Sequence, residues 1–365
     1  MKPHKQKKFA TLRAWNRKRN YFMKALRMRM AKWIWDEPVR RPFDLRAISK
    51  VLLLRNDGKI GDMIVSTSLI RELKTNGYTV DILATRSNVV VIEHNPHIRK
   101  IHFDDNPNIT TELAAEDYDL VIDMGDKISP ASFHFLKKIK AKNVLGFNKE
   151  QYNLYNKTIA FLGYQEHITH RYALLMDELN FSHSSTAYEL FYPDAINTET
   201  TAFLQTLPNA KNIIVNPFAA DAKREMSVTQ VRQLFSELRQ KHPDYNIVYF
   251  DPNKRFDIEL PDGVYKNPHP TLYSAMALIA HADLIISPDT AIVHIAATYN
   301  KPLVALYGNE MHGKYHNNDI WGPGYDAAVQ IMTKDKYHPI STIKVSDIID
   351  AVGHMLHKHT TNSHA

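Results

Sequence analysis

Val51-Leu52-Leu53-Leu54-Arg55-Asn56-Asp57-Gly58-Lys59-Ile60-Gly61-Asp62 joins a short apolar run, a glycine-punctuated turn and the opening of a helical pattern. Four consecutive apolar residues read as a strand buried on both faces. The pattern from Met63 to Lys74 reads as a helix that ends near Asn76-Gly77. Outward from this unit the rhythm repeats. Strand Tyr78–Leu83, a further helix, strand Asp119–Met124, a helix around Phe133–Lys140 and strand Asn143–Phe147 follow. A polar, irregular stretch over 182–197 reads as a linker. Beyond it come strand Asn212–Asn216, helix Ser227–Lys241, strand Ile247–Phe250, helix Leu272–His281, strand Leu284–Ser287, helix Thr290–Tyr299 and strand Leu303–Tyr307. A last helix is expected over Ser346–His357, then a frayed tail over 358–365. Ser227 with Gln230 three residues on fits a capping box. Short strands alternating with helices specify an α/β fold of two doubly wound, Rossmann-like domains facing a cleft.

The chain has 365 residues, enough for two domains, and no cysteine, which excludes a disulfide scaffold, a thiolate metal site and a cysteine nucleophile. No apolar run reaches the roughly 18–20 residues that span a bilayer. The net charge of +7 is unevenly spread. Residues 1–46 hold 15 Lys and Arg against 3 acids, a net of +12, and the rest holds 31 basic and 36 acidic residues, a net of −5. In that basic segment Phe9, Leu12, Trp15, Phe22, Leu26, Met30 and Trp33 recur at helical spacing, and Pro38 and Pro42 end it. It reads as a basic amphipathic helix suited to a membrane interface. The plainer alternative is a helix packed on its own body; nucleic acid is not expected as a partner, because the body has no motif for it. Without an uninterrupted apolar core or a small-residue cleavage site, the segment does not read as a secretory signal.

Ligands of open α/β sheets sit beyond the carboxyl ends of the strands, so the strand-to-helix loops carry the candidate chemistry. Gly58 and Gly61 allow close backbone approach, and Asp62 stands at a helix N-terminus that favours an anion, as a base for a sugar hydroxyl requires. An N-cap role explains Asp62 equally well. The loop is neither GxGxxG nor a P-loop, so nicotinamide and ATP-hydrolysis chemistry gain no support. Asp289 and Thr290 open a helix whose N–H groups suit a phosphate or a sugar hydroxyl, and His294 lies one turn further on the face of Thr290. Capping and a structural histidine are the alternatives. Lys223 and Arg224, between strand and helix, suit a diphosphate clamp, or are solvated loop cations. Asp117-Tyr118-Asp119 matches a D-x-D string, but alternation places both carboxylates on one exposed face beside a strand, and His312 and His316 lack an acidic partner, so no metal site is expected.

Together these residues resemble the heptosyltransferase-type glycosyltransferases of family 9, which have the GT-B fold. The resemblance runs over about residues 48–350. It rests on Val51–Arg55 with Gly61-Asp62 and Ile70-Arg71-Glu72-Leu73-Lys74, and on Asn216-Pro217 with Lys223-Arg224. Its most specific block is Ser287-Pro288-Asp289-Thr290-Ala291 through His294-Ile295-Ala296-Ala297 to Lys301-Pro302-Leu303-Val304-Ala305-Leu306-Tyr307-Gly308. The resemblance implies inverting transfer of a sugar, typically from ADP-heptose, to the inner core of lipopolysaccharide, on a Kdo or heptose acceptor. The enzyme would be peripheral on the cytoplasmic face of the inner membrane and need no metal cofactor. It places the catalytic base on Asp62 and donor contacts on Lys223, Arg224, Asp289, Thr290, Ala291 and His294. Lys127 and His134 would suit an anionic acceptor. Closure of the domains would exclude water. Two departures stand out: Ala291 replaces the family's usual glycine, and Gly308-Asn309-Glu310 replaces Gly-Pro-Thr. They leave room for a relative that uses another nucleotide sugar, such as an N-acetylhexosamine donor. A non-catalytic membrane-binding protein of the same fold is a further alternative. The expected division is an extension over 1–46, an acceptor domain over 47–190, a nucleotide-sugar domain over 191–345, and a terminal helix and tail over 346–365.

Overall fold

The computed structural model describes residues 4–38, 42–161, 163, 165–252, 254–312 and 314–362. In chain order the elements are α1 (His4–Trp35), β1 (Lys50–Arg55), α2 (Ile60–Thr75), β2 (Thr79–Ala84), β3 (Lys100–Phe103), α3 (Ile109–Ala115), β4 (Leu120–Asp123), α4 (Pro130–Ile139), β5 (Asn143–Phe147), β6 (Lys157–Ile159) and α5 (Ile168–Glu178). There follow α6 (Asp194–Gln205), β7 (Lys211–Val215), α7 (Val228–Lys241), β8 (Tyr245–Tyr249), β9 (Val264–Lys266), α8 (Leu272–Ala280), β10 (Leu284–Pro288), α9 (Ala291–Thr298), β11 (Leu303–Tyr307), the hairpin β12 (Met311–His312) and β13 (Tyr315–His316), α10 (Asn317–Trp321), β14 (Ala328–Met332) and α11 (Val345–Asn362).

The strands form two six-stranded sheets, ordered β3-β2-β1-β4-β5-β6 and β14-β11-β10-β7-β8-β9, each parallel throughout. Counted from its own first strand, each sheet has the doubly wound order 3-2-1-4-5-6. The sequence therefore encodes one topology twice. The chain divides into two compact units, one of Met1–Asp57, Gly77–Thr85 and Arg99–Phe161, the other of Gly58–Asn76, Arg86–Ile98 and Leu162–Ala365.

In the first unit Val51 pairs with Val80 on one side and Leu120 on the other, so the apolar run of β1 is the centre of the sheet. Its core joins Leu52, Leu83, Val121 and Val144 to Leu113 of α3 and Phe133 and Leu136 of α4. The C-terminal turns of α1 belong to that core: Ala31 is buried in it, with Met28 and Trp35 packed alongside. Asp36 accepts the Leu154 N–H at 2.9 Å, and Lys137 pairs with Glu37. The helix thus packs on its own unit near its end. The side chain of Phe9, expected on the apolar face, lies outside the described residues. In the second unit Ile213, Ile247, Ile286 and Val304 of the central strands meet Leu234 and Leu238 of α7 and Ile348 and Val352 of α11.

Several expectations need correction. The α2 helix begins at Ile60 rather than Met63, so Gly61 and Asp62 lie in its first turn, with Lys59 at the N-cap position. Between β2 and β4 the chain adds strand β3 before helix α3, where a helix alone was expected. β6, β9 and β14 are short strands at sheet edges or next to them, with few buried positions to mark them. The irregular stretch stops at Pro193, because 194–205 form α6, and α11 continues to Asn362 instead of fraying at 358. The expected tail residues 363–365 lie outside the described residues. Asp119 is not exposed: it accepts Ser49 N–H and Oγ–H and Lys50 N–H at about 3 Å and pairs with Lys142. Burial raises its pKa, but these bonds outweigh burial and hold it down to about 2. His316 lies in the β12–β13 hairpin rather than on a helix, and the His312 side chain lies outside the described residues.

Ser227 caps α7, accepting the Gln230 N–H at 3.1 Å, but the reciprocal half of a capping box is absent. The Gln230 amide instead donates to the Ile340 and Ile343 carbonyls and ties α7 to the segment before α11. Ser227→Ala should cost about 1 kcal/mol, the typical value of an N-cap. Gln230→Ala, which strands the buried Ile343 carbonyl and removes a second donor from that of Ile340, should cost more, about 2 kcal/mol. Urea unfolding of both variants checks the order; equal losses would contradict it.

Candidate active site

In the second unit an open cleft of about 660 Å³ is lined by Gly58, Gly61, Asp62, Arg224, Asp289, Thr290, Ala291 and His294, together with Lys59, Glu310, Asn317 and Trp321 among others. Its walls are four chain segments: the start of α2, the loop after β7, the turn between β10 and α9, and the stretch from Glu310 to Trp321 after β11. β7 and β10 are neighbouring strands where the winding of the second sheet reverses, so their outgoing loops diverge and leave a crevice.

The chain turns into α2 through Gly58, whose φ of +73° is in the left-handed region that glycine adopts without strain. Its carbonyl accepts the Ser87 hydroxyl at 3.1 Å. Gly61 lets α2 approach α9 closely: a Cβ there would lie 3.1 Å from Cδ2 of His294, so a side chain would need that ring to shift. The α2 helix is fixed within the unit by its polar face. Ser66 meets the Tyr172 hydroxyl of α5 at 2.8 Å, Thr67 accepts the Glu189 N–H at 2.9 Å, and Arg71 donates to the Ser185 and Ala187 carbonyls at 2.8 Å. Asp62 is therefore held at a rigid helix start, not used as its N-cap. Its side chain keeps 18% of its surface open and sits 3.8 Å from the Lys59 ammonium.

Across the cleft Arg224 donates to Asp289 Oδ2 at 2.9 Å. Burial raises the Asp289 pKa and the Arg224 cation opposes the rise. Lys223, the other half of the expected clamp, is exposed, and its backbone N–H bonds Asp221 at 3.0 Å. It is not among the residues that line the cleft. Thr290 caps α9 by accepting the Ile292 N–H at 3.2 Å and lies within reach of Ser287 and Asn216. Ala291 opens the helix; with the Ile292 N–H on the Thr290 hydroxyl and the Val293 N–H on the Thr290 carbonyl at 3.1 Å, the helix itself leaves the Ala291 N–H unused.

His294, one turn further, is 5% exposed. Tyr188 and Trp321 meet its ring edge-on at 6.0 and 6.3 Å between centroids. Burial, seconded by nearby His167, lowers its pKa to about 4 against the opposing pull of Asp62. The ring is neutral at pH 7, and its buried Nδ1 has no hydrogen-bond partner among the described residues. His167, also lowered by burial, caps α5 and bonds the Gly322 carbonyl at 3.0 Å.

A second, smaller cavity of about 160 Å³ adjoins the cleft. Phe250, Pro252, Pro270, Leu272 and Ile292 give it apolar walls, and Asn216, Asp251, Asn267 and Thr271 supply polar groups. Asn216 links the two spaces, since its amide lies 3.5 Å from the Thr290 hydroxyl. The sequence marks Asn216 and, as a strand-to-helix loop, Phe250 to Pro252, but gives no such role to Asn267, Pro270 or Thr271. The signal available was Thr271, which caps α8 at a strand-to-helix junction. Glu310 stood out only as a departure from the family's Gly-Pro-Thr, and Trp321 carried no signal.

The acceptor candidates belong to the first unit. Lys127 is exposed, whereas His134 packs its ring 5.0 Å from Trp35 of α1. One group of potential metal ligands is present among the described residues, Asp81, His102 and Glu116. Its charge is already matched: Arg99 pairs with Asp81 and Glu116, Lys50 and Lys100 pair with Glu116, and Tyr118 donates to Asp81. Lys50 foremost, with the other cations, holds Glu116 down to about 2. The group reads as an ion-pair network inside the unit.

Residues 108–340 match the family model of glycosyltransferase family 9 (heptosyltransferase). The Escherichia coli (strain K12) protein named "Putative lipopolysaccharide heptosyltransferase 4" is 23% identical over 350 residues, covering 92% of this chain and 95% of its own. Among solved structures, the family 9 glycosyltransferase of Veillonella parvula DSM 2008 superposes with a TM-score of 0.69 at 16% identity, over 85% of this chain and 97% of its own. The E. coli ADP-heptose lps heptosyltransferase II does so with a TM-score of 0.67 at 17% identity, over 86% and 100%. These two likenesses establish the GT-B fold, and the family match spans β4 to β6 of the first sheet and the whole of the second sheet. This chain belongs to glycosyltransferase family 9, the heptosyltransferase family, and is a glycosyltransferase.

Proposed function

We propose that this chain transfers a heptose from ADP-heptose to a Kdo or heptose of the lipopolysaccharide inner core, with inversion at the anomeric carbon. The observation that carries the reading is the convergence in one cleft of a carboxylate at a helix start, an Arg–Asp pair and a second helix N-terminus, beside an apolar cavity. The relatives' names agree in donor and acceptor class. In this reading the nucleotide base occupies the cavity walled by Phe250 and Leu272, and the diphosphate lies at the N-terminus of α9 within reach of Arg224. The heptose faces Asp62 and His294. The first unit serves as the acceptor domain, with Lys127 as a cation for an anionic sugar, and the second as the nucleotide-sugar domain. Residues 1–46 hold the enzyme peripherally on the cytoplasmic face of the inner membrane. No described helix is long and apolar enough to cross it.

The chemistry follows from the charges. As an acceptor hydroxyl attacks the anomeric carbon, its proton passes to the Asp62 carboxylate. The bond from that carbon to the diphosphate oxygen breaks on the opposite face, and its electron pair leaves with ADP. Arg224 and the N-terminus of α9 stabilise the growing negative charge in a partly desolvated crevice. The scheme assigns no step to a metal. His294, kept neutral by burial, adds no positive charge and can accept or donate a hydrogen bond to a sugar hydroxyl. Of the two donor cations that the resemblance implied, Arg224 takes the diphosphate, because it lines the cleft and Lys223 does not.

Asp62→Asn is nearly isosteric, so it should lower kcat by about 10²–10⁴ while leaving donor binding within a few-fold. Steady-state turnover with ADP release as the readout checks this; a loss confined to KM would make Asp62 a binding group rather than the base. His294 gives a separate test. Its pKa falls from the ordinary 6.5 to about 4 on folding. Because the unfolded chain binds the proton more tightly, folding stability is lost as pH falls below about 6.5. Between pH 7 and pH 5 this group should remove about 2 kcal/mol. Chemical unfolding at both pH values should show a smaller drop for His294→Leu than for the wild type, and equal drops would contradict the buried neutral ring.

A further inference from the structure

The sequence set two readings of the basic helix against each other, packing on the body and contact with a membrane. The structure puts them on opposite faces of one helix. At about 100° per residue, Met28, Ala31 and Trp35, which join the core of the first unit, lie within about 60° of one another. Trp15, Phe22, Leu26, Met30 and Trp33 fall within about 80° on the other side. All five are exposed, and Trp15, Phe22 and Trp33 keep 59%, 67% and 87% of their surface open. A packed helix normally turns its polar face to water. This one turns two indoles and a phenyl ring outward.

The charges beside the stripe identify what covers it. From Leu12 to Trp35 the helix has eight Lys and Arg and no acid. On the same wheel Lys18 and Arg29 border the stripe on one side and Arg27 on the other, and Arg19 lies within it, its guanidinium 5.3 Å from the Trp15 ring. Apolar rings flanked by cations on both sides match an anionic lipid surface, where rings enter the acyl boundary and cations remain among the headgroups. A second copy of the chain would bring the same cations against each other.

We infer that α1 is a two-faced coupling helix: its inner face is clamped to α4, and its outer face lies in the plane of an anionic phospholipid surface. The clamp then fixes how the first unit stands on that surface, because Trp35 against His134 and the Lys137–Glu37 pair leave the helix no free swivel at its end. This deepens the membrane-side reading above, and its test involves no sugar transfer, so its failure would leave the donor and acceptor assignments untouched.

The test is co-sedimentation of the full chain with vesicles of phosphatidylcholine alone or mixed with phosphatidylglycerol. The wild type should bind the anionic vesicles at least about tenfold more tightly, and the preference should shrink as salt shortens the screening length from about 10 Å to about 3 Å. Trp15→Ser/Phe22→Ser/Trp33→Ser should lose binding with an unchanged thermal midpoint, since those side chains are exposed in the free protein. Lys18→Glu/Arg27→Glu/Arg29→Glu should lose the anionic preference. Equal binding to both vesicles, or a serine variant that binds as the wild type does, would overturn the inference. So would a wild-type dimer that the serine variant converts to monomer with vesicle binding unchanged, for it would make a second copy the occupant.

Discussion

Two strands that lie parallel and buried cannot be joined by a tight turn; each connection must cross the sheet and return. Runs such as Val51–Leu54 and Leu284–Ile286, buried on both faces, impose that constraint on both sheets. The crossovers wind outward in both directions from β1 and from β7, which gives the same strand order twice. Where the winding reverses, neighbouring strands send their loops apart. Between β7 and β10 the loop with Arg224 and the turn with Asp289 and Thr290 occupy that divergence. The cleft is a consequence of strand burial before it is a consequence of any polar residue.

The polar groups then set what the cleft can hold. Asp62 is poised by a helix whose own face is bonded to α5 and to the 185–189 segment, so its position does not depend on a flexible loop. Arg224 and Asp289 neutralise each other across the cleft. An incoming diphosphate would compete with a carboxylate for the same guanidinium, which keeps the arginine ordered without leaving a bare cation in a buried place. Burial strips His294 of its proton rather than allowing a further positive charge in the wall of the cleft.

Much of this was legible in the sequence because continuous apolar runs, helix-opening Ser and Thr residues and glycines at close approaches each follow from one local rule. The central strands, the cap at Ser227 and the cleft residues Gly58, Gly61, Asp62, Asp289, Thr290, Ala291 and His294 were all marked that way. What was not legible depended on tertiary partners. Strands β3, β6, β9 and β14 are three to five residues long and lack a continuous buried run. Asp119 reads as a surface carboxylate until Ser49 and Lys142 close around it. Gln230 reads as half of a capping box until the Ile340 and Ile343 carbonyls claim its amide. Adjacent Lys223 and Arg224 cannot be ranked by spacing; a short helical turn over 222–224 decides which one enters the cleft.

The central claim is that Arg224, set at the reversal of the second sheet, receives the diphosphate of an ADP-sugar. Calorimetric titration of ADP-heptose, ADP and UDP-N-acetylglucosamine into the wild type, Arg224→Ala and Lys223→Ala tests it most directly. The account predicts binding of ADP-heptose and ADP but not of the UDP sugar. It predicts that Arg224→Ala weakens both by at least about tenfold, as the loss of a charged hydrogen bond should, and that Lys223→Ala weakens them less. Unchanged ADP-heptose binding by Arg224→Ala, or a preference for the UDP sugar, would contradict it.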